Sequence, residues 1–336
     1  MDFKQFLEKL LDHQELSFDE ASSLCGLFLD GSLNDSQMSA LLIAMKMKGE
    51  TVPEIAGFAS MMRSKAVDMT IPGMDVIDNC GTGGDYSQSF NISTVSALIA
   101  AGAGCRIAKH GNKSVSSRCG SADVLQALGV NIQSDPEKIK EGIRSIGIGF
   151  LFAPNMHSAM KYVMSVRKTL GVRTLFNILG PLTNPARVRK QIIGVYEARL
   201  CEVYARVLKE MGHEEAYVVH GRDGLDEVSL SDSTLVYHLH NGEIRNFEVT
   251  PEMFGIKRVP RDVLKGGDAQ ENARIICDVL DGKPGPRREI ACMNAAFSIC
   301  LSGKSSTLQN AYPLACEAID SGKAKKVLVQ WKVMSA

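Results

Sequence analysis

The sequence predicts an α/β fold: a small helical domain over residues 1–70, then a large α/β domain over 71–336 built on a mainly parallel central sheet. Three observations carry this expectation. The first seventy or so residues place apolar side chains at helical spacing and show no strand signal. From Ile71 the pattern changes to strand, loop and helix, repeated, as crossover connections require. The chain has 336 residues, 45% of them hydrophobic, enough to bury the cores of two such domains.

In the helical part, Phe3, Phe6, Leu7, Leu10 and Leu11 mark the first helix. Ser17-Phe18-Asp19-Glu20 is a capping box that opens a second, closed by Gly31. A third runs from Asp35 to Lys48, and Thr51-Val52-Pro53-Glu54 starts a fourth with a cap, an early proline and a glutamate at the matching offset. In the second part, residues 74–78 read as a strand leading to a helix around 94–102. Residues 105–108 read as a strand leading to a helix from near Ala122, and 216–220 as a later buried strand. Residues 269–300 read as two helices about the turn Asp281-Gly282-Lys283-Pro284-Gly285-Pro286, and Lys323-Ala324-Lys325-Lys326 as a solvated tail.

Composition excludes several function classes. Charge is balanced at 38 basic and 38 acidic residues, with pI near 7.0, so the basic footprint of a nucleic-acid or anionic-membrane binder is missing. The start, Met1-Asp2-Phe3-Lys4-Gln5, has no apolar signal core, and no apolar run approaches a membrane span. Nine cysteines are scattered without a C-x-x-C pair, which predicts reduced thiols and a cytoplasmic protein. The seven histidines are equally dispersed and give no zinc signature.

Ligands of α/β sheets collect at the carboxyl ends of strands, and three such ends carry unusual residues. Gly81-Thr82-Gly83-Gly84-Asp85 is neither a Walker A loop nor a dinucleotide fingerprint, because no Gly-Lys-Ser/Thr follows and Tyr86 stands where a third glycine belongs. It is an exposed-backbone turn able to bring amides against an anion, with Asn91, Ser93 and Thr94 at the start of the next helix adding donors. On its own it reads equally well as a tight βα turn with a Ser/Thr cap. Lys109-His110-Gly111-Asn112-Lys113-Ser114-Val115-Ser116-Ser117 is a dense donor array after the second strand, continued by Gly120-Ser121-Ala122-Asp123. Gly221-Arg222-Asp223-Gly224-Leu225-Asp226-Glu227 ends in adjacent carboxylates, which alone read as a solvated turn. Beside two phosphate-binding loops, they call for Mg²⁺ as a bridge. Together the three loops describe a magnesium–diphosphate site without a nucleotide fingerprint.

These segments resemble the anthranilate phosphoribosyltransferase family, in order from about Ile71 to Glu227. The resemblance also rests on Asn177-Ile178-Leu179-Gly180-Pro181-Leu182-Thr183-Asn184-Pro185 and Gly266-Gly267-Asp268-Ala269. It implies a fold shared with pyrimidine nucleoside phosphorylases and a homodimer formed through the helical domain, to which a helical segment at about 167–190 returns. It implies transfer of phosphoribose from phosphoribosyl pyrophosphate (PRPP) to the amine of anthranilate, giving N-(5-phosphoribosyl)anthranilate and pyrophosphate in tryptophan biosynthesis.

Carried over residue by residue, Gly81, Gly84, Asp85, Ser89, Asn91, Ile92, Ser93 and Thr94 would contact PRPP. So would Lys109, His110, Gly111, Asn112, Lys113, Ser114, Val115, Ser116, Ser117 and Ser121. Ser93, Asp226 and Glu227 would hold Mg²⁺, and Gly81, Asn112, Arg167, His110 and His157 would face anthranilate or line its access. Lys109 and Arg167 are the catalytic candidates. Ser165 stands where many members have proline before Val-Arg, implying a looser start to the helix bearing Arg167. A nucleoside phosphorylase of the same fold is the nearest rival, but it needs neither a carboxylate-gripping arginine nor the Asp226-Glu227 pair. A non-catalytic nucleic-acid-binding homologue lacks the basic surface it would require.

Overall fold

The computed structural model describes residues 1–114 and 118–336. It opens with four helices, α1 (Phe3–Leu11), α2 (Phe18–Leu29), α3 (Asp35–Lys48) and α4 (Val52–Ser64). Their starts are set by the local chemistry expected from the sequence. Ser17 Oγ accepts from Glu20 N, and the Glu20 carboxylate in turn accepts from Ser17 N at 2.8 Å. Glu54, in the first turn of α4, accepts from Thr51 N and from Leu16 N and pairs with Lys48 at 2.9 Å, so this buried carboxylate ties three segments together.

The larger part follows as β1 (Ile77–Gly81), α5 (Ile92–Gly102), β2 (Ile107–Gly111), α6 (Ser121–Ala127), α7 (Pro136–Ser145), β3 (Ile148–Phe152) and the short α8 (Ala153–Met156). Then come α9 (Lys161–Leu170), β4 (Lys190–Gly194), α10 (Arg199–Glu210), β5 (Glu215–Gly221), β6 (Thr234–His240) and β7 (Glu243–Val249). Four helices close the chain: α11 (Ala269–Leu280), α12 (Pro286–Leu301), α13 (Leu308–Asp320) and α14 (Lys323–Ser335). The seven strands form one sheet in the order β3-β2-β1-β4-β5-β6-β7, parallel through β5 and antiparallel at β6 and β7.

Period-two alternation divides the core. Ile192, Tyr217 and Val219 face the cluster formed with α5, α12 and α13, whereas Ile193, Ala216 and Val218 face α10 and the N-terminal helices. Val163 and Val166 of α9, with Leu175, Phe176, Leu179 and Leu182 beyond it, are buried with α2, α3 and α4.

Three boundaries differ from the sequence reading. β1 occupies 77–81 rather than 74–78, because its pairing with β4 carries it through to Gly81 beside Gly194, although glycine usually weakens a strand. β2 occupies 107–111, not 105–108. Lys109 and His110 are therefore buried strand residues at 2% and 4% exposure, not loop residues; Asn79 accepts from the Lys109 ammonium and Gly180 O faces His110 Nδ1. Lys323 opens α14, whose Ala324 packs against Gly102, so the lysine cluster is not a tail.

Candidate active site at the strand ends

The order of the strands reverses beside β1: β2 and β3 lie on one side, and the chain then returns to place β4 on the other. The carboxyl ends of β1 and β4 form the crevice in which open α/β sheets bind ligands. Asp226 and Glu227, on the loop after β5, reach this point. Asp226 crosses so closely above β4 that a Cβ on Gly194 would strike its backbone carbonyl. Thr82 N donates to Gly194 O at 2.8 Å, closing the floor.

The loop after β1 is an amide cradle. Gly83 (φ +64°) and Gly84 (φ +75°) are left-handed, and so are Tyr86 and Gln88, at φ +55° each, where a side chain costs energy. Gly83 N–H donates to Asp226 Oδ2 at 2.8 Å, so a carboxylate already occupies an amide of the kind that binds anions. Asp226 N donates to Asp85 Oδ2 at 3.4 Å. Burial, then the charges of Asp85 and Glu227, push the Asp226 carboxyl well above the ordinary carboxylate range.

Glu227 accepts from Ser93 N at 3.0 Å, at the N-terminus of α5. Burial raises its carboxyl to about 7 against the opposing pull of Lys109. Lys109 Nζ donates to Asn79 O at 2.8 Å and to Asn79 Oδ1 at 3.2 Å, while Asn79 Nδ2 donates to Ser93 O at 2.7 Å. Asn79 therefore locks the ammonium, the end of β1 and the start of α5 together. Burial depresses Lys109, and Asp78, Cys80 and Glu227 oppose that effect. The sequence reading missed Asn79, whose signal is its place as the last polar residue before the glycines.

The remaining PRPP candidates are spread around this point. Ile92 and Thr94 are buried in α5. The Asn91 carboxamide is committed to the protein: Nδ2 donates to Cys119 O at 3.2 Å and Oδ1 accepts from Asn272 Nδ2 at 2.9 Å. Ser89 Oγ accepts from Ser87 Oγ at 3.0 Å. Gly111 ends β2, Asn112 and Lys113 are exposed, and Asn112 Oδ1 accepts from Lys113 N at 2.7 Å. Asp123 accepts from both Ser114 N and Gly120 N, and Ser121 Oγ donates to Asn112 O at 3.3 Å, so the second loop is folded onto the start of α6. Val115, Ser116 and Ser117 lie outside the described residues.

His110 and His157 stack edge-on with ring centroids 5.3 Å apart. Burial depresses both, to about 3 and about 4, so both rings are neutral. His110 Nδ1 faces Gly180 O at 3.2 Å, which makes Nδ1 the protonated nitrogen. The Nε2 of each ring is buried and has no hydrogen-bond partner among the described residues. Arg167 is partly buried on α9, with its guanidinium 5.9 Å from the Phe176 ring centroid and no ion pair among the described residues. Ser165 lies mid-helix with Oγ 3.4 Å from Asp35 Oδ1, so it does not loosen the start of α9, which lies at Lys161.

Arg173, another residue the sequence reading missed, lies 3.9 Å over the Tyr196 ring and donates to Gly84 O at 2.7 Å, pinning the glycine loop. Its only sequence signal is an arginine just past the glycine that ends α9.

The chain matches two family descriptions, "Glycosyl transferase family, helical bundle domain" over residues 4–66 and "Glycosyl transferase family, a/b domain" over 73–325. It is 46% identical over 336 residues to an anthranilate phosphoribosyltransferase of Rhodopseudomonas palustris, covering 100% of this chain and 99% of that one. A Desulfatibacillum aliphaticivorans protein of the same name is 45% identical over 322 residues, covering 96% and 95%. Among solved structures, the Thermus thermophilus anthranilate phosphoribosyltransferase superposes with a TM-score of 0.93 at 37% identity, covering 98% and 99%. The Saccharomyces cerevisiae anthranilate phosphoribosyltransferase in complex with PRPP and Mg superposes with a TM-score of 0.90 at 30% identity, covering 99% and 97%.

Proposed function

We propose that this chain, which belongs to the anthranilate phosphoribosyltransferase family of glycosyl transferases, transfers phosphoribose from PRPP to the amine of anthranilate and releases pyrophosphate. One observation supports the reading most strongly. Two carboxylates, Asp226 and Glu227, sit on two anion-binding amides, Gly83 N–H and Ser93 N–H, at the strand-order reversal. A site that sets buried acids beside anion donors is matched by a divalent cation together with a polyphosphate.

The donor set fits Mg²⁺: hard oxygens from Asp226, Glu227 and the Ser93 hydroxyl, with Asp85 adjoining and carboxyls raised by burial and then by neighbouring like charge, which a cation relieves. Bound there with substrate, Mg²⁺ supplies charge neutralisation of the departing diphosphate. The chain's own residues do the rest. The amides of the glycine loop and the N-terminus of α5 receive phosphate oxygens, as PRPP displaces Asp226 from Gly83. Lys109 keeps one ammonium N–H beyond those given to Asn79, and its positive charge favours negative charge growing on the leaving group. Asn112, Lys113, Ser114 and Ser121 present the second loop's donors to the substrate.

Arg167, without an ion pair among the described residues, takes the carboxylate of anthranilate in a two-point grip, and the neutral rings of His110 and His157 line the approach. As the ribose C1–O bond to diphosphate breaks, the amine nitrogen forms the C1–N bond and gives up a proton to the departing pyrophosphate. Positioning and electrostatics carry this step without a protein nucleophile.

The small domain spans residues 1–70, with α9 and the segment to about 190 returning to it, and the chain acts as a homodimer. Exposed Leu11, Met47 and Met164 provide apolar surface on the helical side for that contact. Loss of anthranilate fluorescence on adding PRPP and Mg²⁺ tests the reaction, run beside a magnesium-free control and Arg167→Ala. Turnover that needs all components and falls in the variant supports the reading; no turnover from folded protein refutes it.

A further inference from the structure

We propose that Glu215, His238 and His240 form a second metal site, for a zinc-class divalent transition ion, at the end of the sheet away from the active site. Glu215 begins β5, and its cross-strand partner in β6 is His240; Tyr217 pairs with His238 in the same register. With a period of two, all four side chains project from one face. Glu215 Oε1 lies 3.0 Å from His238 Nε2 and 3.4 Å from His240 Nδ1, and the three ligand atoms lie within 4.8 Å of one another. A tetrahedral Zn²⁺ with bonds of about 2.0–2.1 Å separates its ligands by about 3.3 Å, so little movement closes the triad on an ion. The donor set also suits this class: two imidazoles and one carboxylate, with a fourth position open to water through the half-exposed His240.

The surroundings orient these ligands. Tyr217 stacks on the His238 ring at 4.2 Å and 16°, which fixes the plane of that imidazole, and Tyr217 itself packs edge-on against Phe297 of α12. Asn241 Nδ2 lies 3.0 Å from His240 Nε2, and turning over that amide would let Oδ1 accept the Nε2 proton when Nδ1 binds metal. Lys190, opposite Glu215 on β4, is paired with Asp75 at 2.5 Å. β5 rises about 3.3 Å per residue, so Glu215 lies roughly 20 Å from the strand end that leads to Asp226. The ion would clamp β5 to β6 without entering the transfer reaction.

Zn²⁺ titration of the full chain by calorimetry and thermal unfolding tests the site. It is run in an Asp226→Asn/Glu227→Gln background so that the strand-end carboxylates do not contribute. One equivalent should bind and raise the unfolding midpoint. Adding His240→Asn should weaken binding by about tenfold or more and abolish the shift. His240 is exposed enough for that variant to fold, which circular dichroism verifies. Co²⁺ should give visible d–d absorption that the same substitution removes. Absence of binding in the background, or binding and stabilisation unchanged by His240→Asn, would overturn the proposal.

Discussion

His110, His157 and His213 are buried, and burial holds their imidazoles neutral, at about 3, about 4 and about 3 against an ordinary value of 6.5. In the unfolded chain each takes up a proton below about pH 6.5, and in the folded chain none does so until pH 4 or lower. The unfolded state therefore binds more protons in this window, so stability is fully present above pH 6.5 and is lost as pH falls. Integrating from pH 7 to pH 5 gives about 2 kcal/mol for each ring, and about 6 kcal/mol for the three together. Net stabilities are typically about 5–15 kcal/mol, so the loss is a large share of the whole.

The test is urea unfolding of the full chain at pH 7, 6 and 5, beside a His213→Gln variant. His213 is chosen because it is not one of the anthranilate candidates. Its Nε2 is 3.4 Å from Arg63, whose guanidinium makes a charged ring there still less tolerable. The variant should lose about a third less stability than the parent between pH 7 and pH 5. Equal losses in both proteins, or a parent whose stability is flat over this range, would refute the reasoning.

Other outcomes follow from the strand-end geometry. Asp226→Asn should cut turnover at least about 100-fold, the scale of losing one electrostatic contact to the transition state. The same change should raise the melting temperature of the metal-free chain, because burial and then the charges of Asp85 and Glu227 disfavour an ionisable carboxyl there. Arg167→Ala should raise KM for anthranilate by about 10- to 100-fold with little change in PRPP affinity, as steady-state kinetics with each substrate varied will read. Gly83→Ala meets no neighbouring atom but sits at φ +64°, so it should cost about 1–2 kcal/mol of stability in a thermal melt. It should also weaken PRPP binding in calorimetry.

Much of this organisation is legible in the sequence where local chemistry decides it. The capping residues Ser17 and Thr51 announce α2 and α4, and the glycine run after Cys80 marks the end of β1. Asp226 and Glu227 are recognisable as a pair because adjacent acids beside donor-rich loops need a cation. What was not legible depends on pairing across the sheet. Lys109 and His110 read as loop because charge and imidazole rarely sit in a buried strand. β3 takes them into register, Asn79 accepts from the Lys109 ammonium, and Gly180 O faces His110 Nδ1. Nor does a linear reading show that Arg173, some 90 positions from Gly84, holds its carbonyl, or that Asp226 folds back onto Gly83. The same blindness hid Glu215, His238 and His240, dispersed in sequence but joined by antiparallel register.

A crystal structure of the chain with PRPP and Mg²⁺ tests the central claim most directly. The diphosphate should lie against the amides of residues 81–85 and the start of α5. Asp226 should have left Gly83 N–H to join Ser93 and Glu227 around the ion. PRPP bound elsewhere, with the Asp226–Gly83 hydrogen bond intact, would contradict it.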